Sequence, residues 1–111
     1  QIGVERRQRT IAFNTSIASA DMFEIYLHQN NLIDPGFVIK HEWFKSKNKL
    51  IEKFPFDFEE KEKLFQLMQY IEQQRDSLCY GIPKQKEEII NVIHAFNKVK
   101  DLFKKWGVTI E

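Results

Sequence analysis

Ile89, Val92, Ile93, Phe96, Val99, Phe103 and Trp106 recur every three or four residues, the period at which side chains return to one face of an α-helix. A helix striped in this way is stable only with its apolar face buried against other elements. The same period occurs three more times. Ile11, Thr15, Ala18, Met22 and Ile25 predict a helix over about Val4–His28. Phe37, His41, Phe44, Asn48 and Ile51, with Trp43, Leu50 and Phe54 beside them, predict a second, and Leu64, Phe65, Met68, Ile71 and Leu78 a third. The joints "QNNLIDPG", "KFPFDFEE" and "GIPK" each carry a proline, which lacks the backbone donor a helix needs. Asp57 and Glu60 have capping-box spacing for the third helix, and Gly107 suits the end of the fourth. No segment of comparable length alternates with period two. The expected fold is all-α, an antiparallel up-down four-helix bundle, with residues 1–111 as a single domain.

Composition narrows the function classes. Aromatics make up 14% of the 111 residues, too many for a disordered segment. Seventeen basic against sixteen acidic side chains leave a net charge of +1, which removes any bulk electrostatic case for nucleic acid or membrane binding. The single cysteine, Cys79, excludes an internal disulfide and a cysteine-based zinc site. No apolar run reaches the ~20 residues of a membrane span. The opening "QIGVERRQRT" is not followed by an apolar core of signal-peptide type. The chain therefore reads as cytoplasmic.

One residue does not fit its helix. Arg75 falls on the inner stripe of the third helix, four after Ile71 and three before Leu78. A buried arginine requires a partner, and two are open. Arg75 either forms a structural ion pair with Asp21 or Glu24 of the first helix, or faces a cleft and binds an anion. Its planar fork suits phosphate. Asp76, Tyr80 and Gly81 follow closely, with Lys84 beyond.

Four helices, the third ending in "RDSLCYG", resemble the HEPN family (higher eukaryotes and prokaryotes nucleotide-binding). Its motif runs from an arginine through a polar residue to a histidine, often with Gly or Tyr after it. Arg75, Asp76 and Gly81 match that pattern, and Tyr80 stands at the histidine position. The resemblance implies a dimer with two motifs at one cleft. It also implies a role in binding nucleotide or RNA, or in partnering a small nucleotidyltransferase in a toxin–antitoxin-like pair. Members with intact Arg and His are metal-independent endoribonucleases. Tyrosine is a poor stand-in for histidine in proton transfer, because its reference pKa is about 10. The binding module is therefore the favoured reading, with Arg75, Tyr80, Lys84 and His41 as ligand-binding residues. The alternatives are an endoribonuclease with Arg75, Asp76 and Tyr80 as catalytic groups, and a helical adaptor without ligand.

The remaining candidates have plainer readings. His41 lies on the second inner stripe, as a core histidine or in the same cleft as Arg75. His28 fits the dipole of a last helical turn, and His94 a partly buried packing position. Cys79 reads as a small buried hydrophobe rather than a nucleophile. No histidine pair has metal-ligand spacing, so neither a metal nor a cofactor is expected. Lys98, Lys100, Lys104 and Lys105 of the last helix ordinarily read as a solvated face that offsets its dipole. In an up-down bundle Arg6, Arg7 and Arg9 of the first helix would lie at the same end, and the alternative is one basic patch for RNA. Phe37, Trp43, Phe44, Phe54, Phe56 and Phe58 exceed what a core of this size is expected to hold, and point to a homodimer interface.

Overall fold

A computed structural model describes residues 2–80 and 86–108, with side chains from 7 to 78 and from 86 to 108. It contains four α-helices, α1 (Ile2–Gln29), α2 (Lys47–Lys53), α3 (Lys61–Tyr80) and α4 (Lys86–Lys105), and a short 3₁₀ helix, His41–Lys45. No strand occurs among the described residues.

The helix ends follow local chemistry. At the end of α1, Asn31 takes a positive φ of 54°, and the Leu32 N–H donates to the Leu27 carbonyl at 2.9 Å. Gly107 does the same for α4 with φ 84°, and the Val108 N–H donates to the Phe103 carbonyl at 2.8 Å. Both are left-handed caps that satisfy carbonyls otherwise orphaned at a helix terminus. The expected Asp57–Glu60 cap is not used. Helix α3 starts at Lys61, after a Glu60 with φ 60°, and the Lys61 ammonium instead donates to the carbonyls of Phe54 and Phe56.

The second predicted helix is the main departure. Residues 37–40 are not helical, His41–Lys45 is 3₁₀, and Ser46 opens a new, short helix by accepting the Lys49 N–H at 3.3 Å. A serine cap in mid-run resets the helical phase. Phe44, Leu50 and Phe54 are buried as expected, while Asn48 and Ile51 face outward.

Three long helices pack against one another, and the 3₁₀ segment lies on α1 and α3. On α3 Leu64, Met68, Ile71 and Leu78 of the predicted stripe are buried and Phe65 half-buried; on α4 Val92, Val99 and Phe103 are buried, with Ile89, Ile93, Phe96 and Trp106 half-buried. Helix α1 buries Thr15 and Met22 of its predicted stripe and leaves Ile11, Ala18 and Ile25 half-buried, while Ala12, Ser16, Ser19, Phe23 and Leu27 beside them are buried too. Burying the larger Phe23 and Leu27 removes more apolar area from water. Phe23 meets Phe44, Phe54, Phe58, Phe65 and Phe103 at centroid distances of 4.9–6.3 Å. The rings expected at a dimer interface are therefore core: Phe44 and Phe54 are buried, and Phe37, Trp43, Phe56 and Phe58 pack on them.

Candidate functional site

At the end of the bundle formed by the first half of α1, the interior turns polar. Thr15 and Ser19 spend their hydroxyls on carbonyls of their own helix. Ser16 does not: its Oγ donates across to Glu72 Oε2 of α3 at 2.6 Å. The Glu72 side chain is only 3% exposed. Its other oxygen, Oε1, lies 2.7 Å from His41 Nδ1 and 3.4 Å from an Arg75 terminal nitrogen. A buried carboxylate is tolerable only when paired and hydrogen-bonded, and here three groups from three elements do so.

Glu72 Oε1 accepts from the His41 ring when Nδ1 carries a hydrogen. One Arg75 terminal nitrogen lies 2.5 Å from Nδ1 and 2.6 Å from Nε2, so it sits against the ring between its two nitrogens. The order Ser–Glu–His excludes a serine-nucleophile triad, because the hydroxyl proton is committed to the carboxylate rather than to the imidazole. Arg75 also lies against Phe13 of α1, its guanidinium carbon 5.3 Å from the ring centroid.

Access differs among these groups. The Arg75 side chain is 14% exposed and that of His41 39%. Arg75 is thus partly covered, and its partners are not those expected. Asp21 and Glu24 do not pair with it. The Asp21 carboxyl is pushed up by desolvation first and by the Glu24 charge second, with no cation beside it to oppose them. Asp76 turns away from the cluster to bind Lys45 at 2.6 Å, and its carboxylate pushes the Lys45 ammonium up. Together with Gln69, which donates to the Lys45 carbonyl at 3.3 Å, this pair fastens the His41-bearing segment to α3.

The side chain of Tyr80, which ends α3, lies outside the described residues, as do that of Cys79 and the whole of Gly81 and Lys84. His94 is exposed rather than packed. The single basic patch is not formed. Ala12 of α1 packs with Val92 of α4, and Tyr26 with Trp106 at 5.0 Å, so α1 and α4 run in the same direction. Their basic ends are opposite, because without a long second helix the chain reverses one time fewer. Lys105 instead meets Glu59 and Glu60.

Glu72 and Ser16 escaped the sequence reading. Glu72 had a signal: it follows Ile71 on the inner stripe and precedes Arg75 by three, the spacing of a helical ion pair. Ser16 had none that separated it from Thr15 and Ser19.

A recess of about 550 Å³ lies elsewhere, between α2 and the first half of α3, with Lys47, Leu50, Ile51, Phe58 and Phe65 among its walls. None of Arg75, Asp76 or His41 lines it. Its rim mixes Lys47 and Lys61 with Asp57, Glu60 and Glu62 and has no convergent charge. The Arg75 cluster, where ionisable groups converge, is the stronger candidate. Among the described residues no group of His, Cys, Asp and Glu is placed to hold a metal ion, and no helix is long and apolar enough to cross a membrane.

No protein-family model matches the chain, and no curated protein or solved structure is significantly similar to it.

Proposed function

We propose that this chain is a small HEPN-like module, an up-down helical bundle that binds nucleotide or RNA phosphate at the Arg75–His41 cluster. The observation that carries the proposal is the meeting of two residues 34 apart in sequence on one buried carboxylate. Arg75 supplies a fork for phosphate oxygens. His41 supplies a half-exposed ring beside it, and Glu72 holds both in place. An incoming phosphate competes with the His41 ring for the Arg75 N–H groups, so binding draws the guanidinium outward and frees the imidazole.

The endoribonuclease alternative draws support from the same pair. His41, oriented by Glu72, is a proton-transfer group suited to neutral pH, which Tyr80 is not. Small exposure of Arg75 and its pairing with Glu72 support the adaptor alternative. In the favoured reading the protein works as a homodimer, or with a small nucleotidyltransferase. Both partners rest on the family resemblance, since the rings that suggested an interface are core.

Arg75→Ala separates the readings. A phosphate site predicts roughly ten- to a hundredfold weaker binding of nucleotide or RNA, equivalent to ~1.5–3 kcal/mol, with the helical fold retained. Absence of binding by the parent protein, with a sharp fall in melting temperature for Arg75→Ala, would leave the adaptor. Cleavage of RNA in the presence of a chelator, abolished in His41→Ala, would establish the nuclease.

A further inference from the structure

Three large apolar side chains are exposed among the described residues: Phe13, Val38 and Ile51. Phe13 is the aromatic one, and it is 47% exposed. The other described phenylalanines are buried or half-buried. An exposed aliphatic residue is ordinary on a protein surface. An exposed ring in contact with the candidate phosphate-binding arginine is a more specific arrangement.

Arg75 lies against one side of this ring, 5.3 Å from its centroid, and the ring still leaves nearly half of its surface open. We infer that the open surface of Phe13 is a stacking platform for an unpaired base, next to the phosphate held by Arg75 and His41. The inference rests on the proposed phosphate site and adds its substrate class, a single-stranded nucleic acid. A phosphate and its own base are separated by one sugar, so a nucleotide bridges adjacent charge and ring. Proteins that hold single strands combine these two elements, a cation for the backbone and an aromatic face for the base. A duplex keeps its base faces inside the helical stack and offers none to Phe13. Stacking does not distinguish bases by hydrogen bonding, so the site selects strandedness rather than sequence. Phe13 is half-exposed and belongs to neither buried apolar cluster, so its replacement removes the ring beside Arg75 and leaves the core packing in place.

The test is fluorescence anisotropy with a short fluorescein-labelled single-stranded RNA, and with the same strand annealed to its complement. Parent, Phe13→Ala, Phe13→Tyr and Arg75→Ala proteins are compared, with circular dichroism to verify the fold of each. The expected result is preference of the parent for the single strand, a loss of roughly five- to a hundredfold in Phe13→Ala, and retention in Phe13→Tyr. Single-strand binding that Arg75→Ala weakens and Phe13→Ala leaves unchanged would overturn the platform while keeping the phosphate site. Failure of the parent to bind either RNA would overturn both. A change in sedimentation of Phe13→Ala without a change in RNA affinity would assign the ring to contact between copies and overturn the inference.

Discussion

The two halves of α1 face different interiors, one of large rings and one where a small apolar cluster adjoins buried polar groups. From Ala20 to Leu27 the helix meets rings and aliphatic groups, centred on a fully buried Phe23. From Gln8 to Ser19 it buries one small apolar residue, Ala12, against Leu78 and Val92, and beside it an amide and hydroxyls that reach the Leu78 carbonyl and the Glu72 carboxylate. The ring-packed half obtains its stability from area, which is non-directional. It even leaves the buried Trp106 Nε1 with no acceptor among the described residues. The polar half adds less stability, but its bonds are directional and hold His41 and Arg75 in a set geometry. The main apolar core and the proposed site thus lie at different ends of one helix.

Substitutions at each end test that division. The largest effect belongs to Phe23→Ala, expected to cost about 3–5 kcal/mol through the cavity it leaves, or roughly 10 to 30 °C in Tm. Binding of RNA by the fraction that stays folded should be unchanged. Next is Glu72→Ala, which leaves Arg75, His41 and Ser16 without their shared acceptor. Because Arg75 and His41 retain some solvent contact, about 2–4 kcal/mol is expected, below the full penalty for a broken buried pair. Unlike Phe23→Ala, this change should also abolish binding. Denaturant titration and RNA binding on the two variants give the comparison directly.

A finer contrast lies within one turn of α1. Ser16→Ala should cost about 1 kcal/mol, because it removes a cross-helix bond to a buried carboxylate. Ser19→Ala should be close to neutral, since Ser19 bonds only the Thr15 carbonyl of its own helix. Equal costs would contradict the distinction drawn between the two hydroxyls. The smallest effect is that of Asp76→Asn. The Lys45–Asp76 pair is solvent-facing, with side chains 42% and 52% exposed, and is worth at most ~1 kcal/mol, less in high salt. Asp76 pushes the Lys45 ammonium up. Lysine in the unfolded chain titrates near 10.4. While Asp76 is ionised, the pair's contribution is present below that value and is lost as pH rises through the higher folded value. The difference in stability between Asp76→Asn and parent should shrink in that alkaline range, and again in acid where the carboxylate takes up a proton.

The legible parts of the fold were those that depend on one helix at a time. The stripe of α3, and that of α4 as far as Val92, Val99 and Phe103, could be read because each contains a run of large apolar side chains. Arg75 was legible as a misfit for the same reason. The 37–54 region was not, because a single serine cap at Ser46 outweighed a continuous apolar pattern. That change removed a long helix, reversed the relative direction of α1 and α4, and separated the two basic groups. The partner of Arg75 was hidden for a related cause. His41 reaches α3 only because the connector winds as a 3₁₀ segment, and helical periodicity carries no information about such a path.

The site itself is tested most directly by long-range ¹H–¹⁵N spectra of the imidazole rings during titration with single-stranded RNA. The chain has three histidines. His28 lies in the last turn of α1 and His94 on the exposed side of α4, so both serve as internal controls. In the free protein His41 should show the tautomer with hydrogen on Nδ1, bonded to Glu72. As RNA binds and Arg75 turns to phosphate, the Nε2 resonance of His41 should shift while the controls stay in place, and Arg75→Ala should abolish the shift. An unchanged His41 at RNA concentrations that saturate binding, or equal movement of all three rings, would contradict a phosphate site at Arg75 and His41.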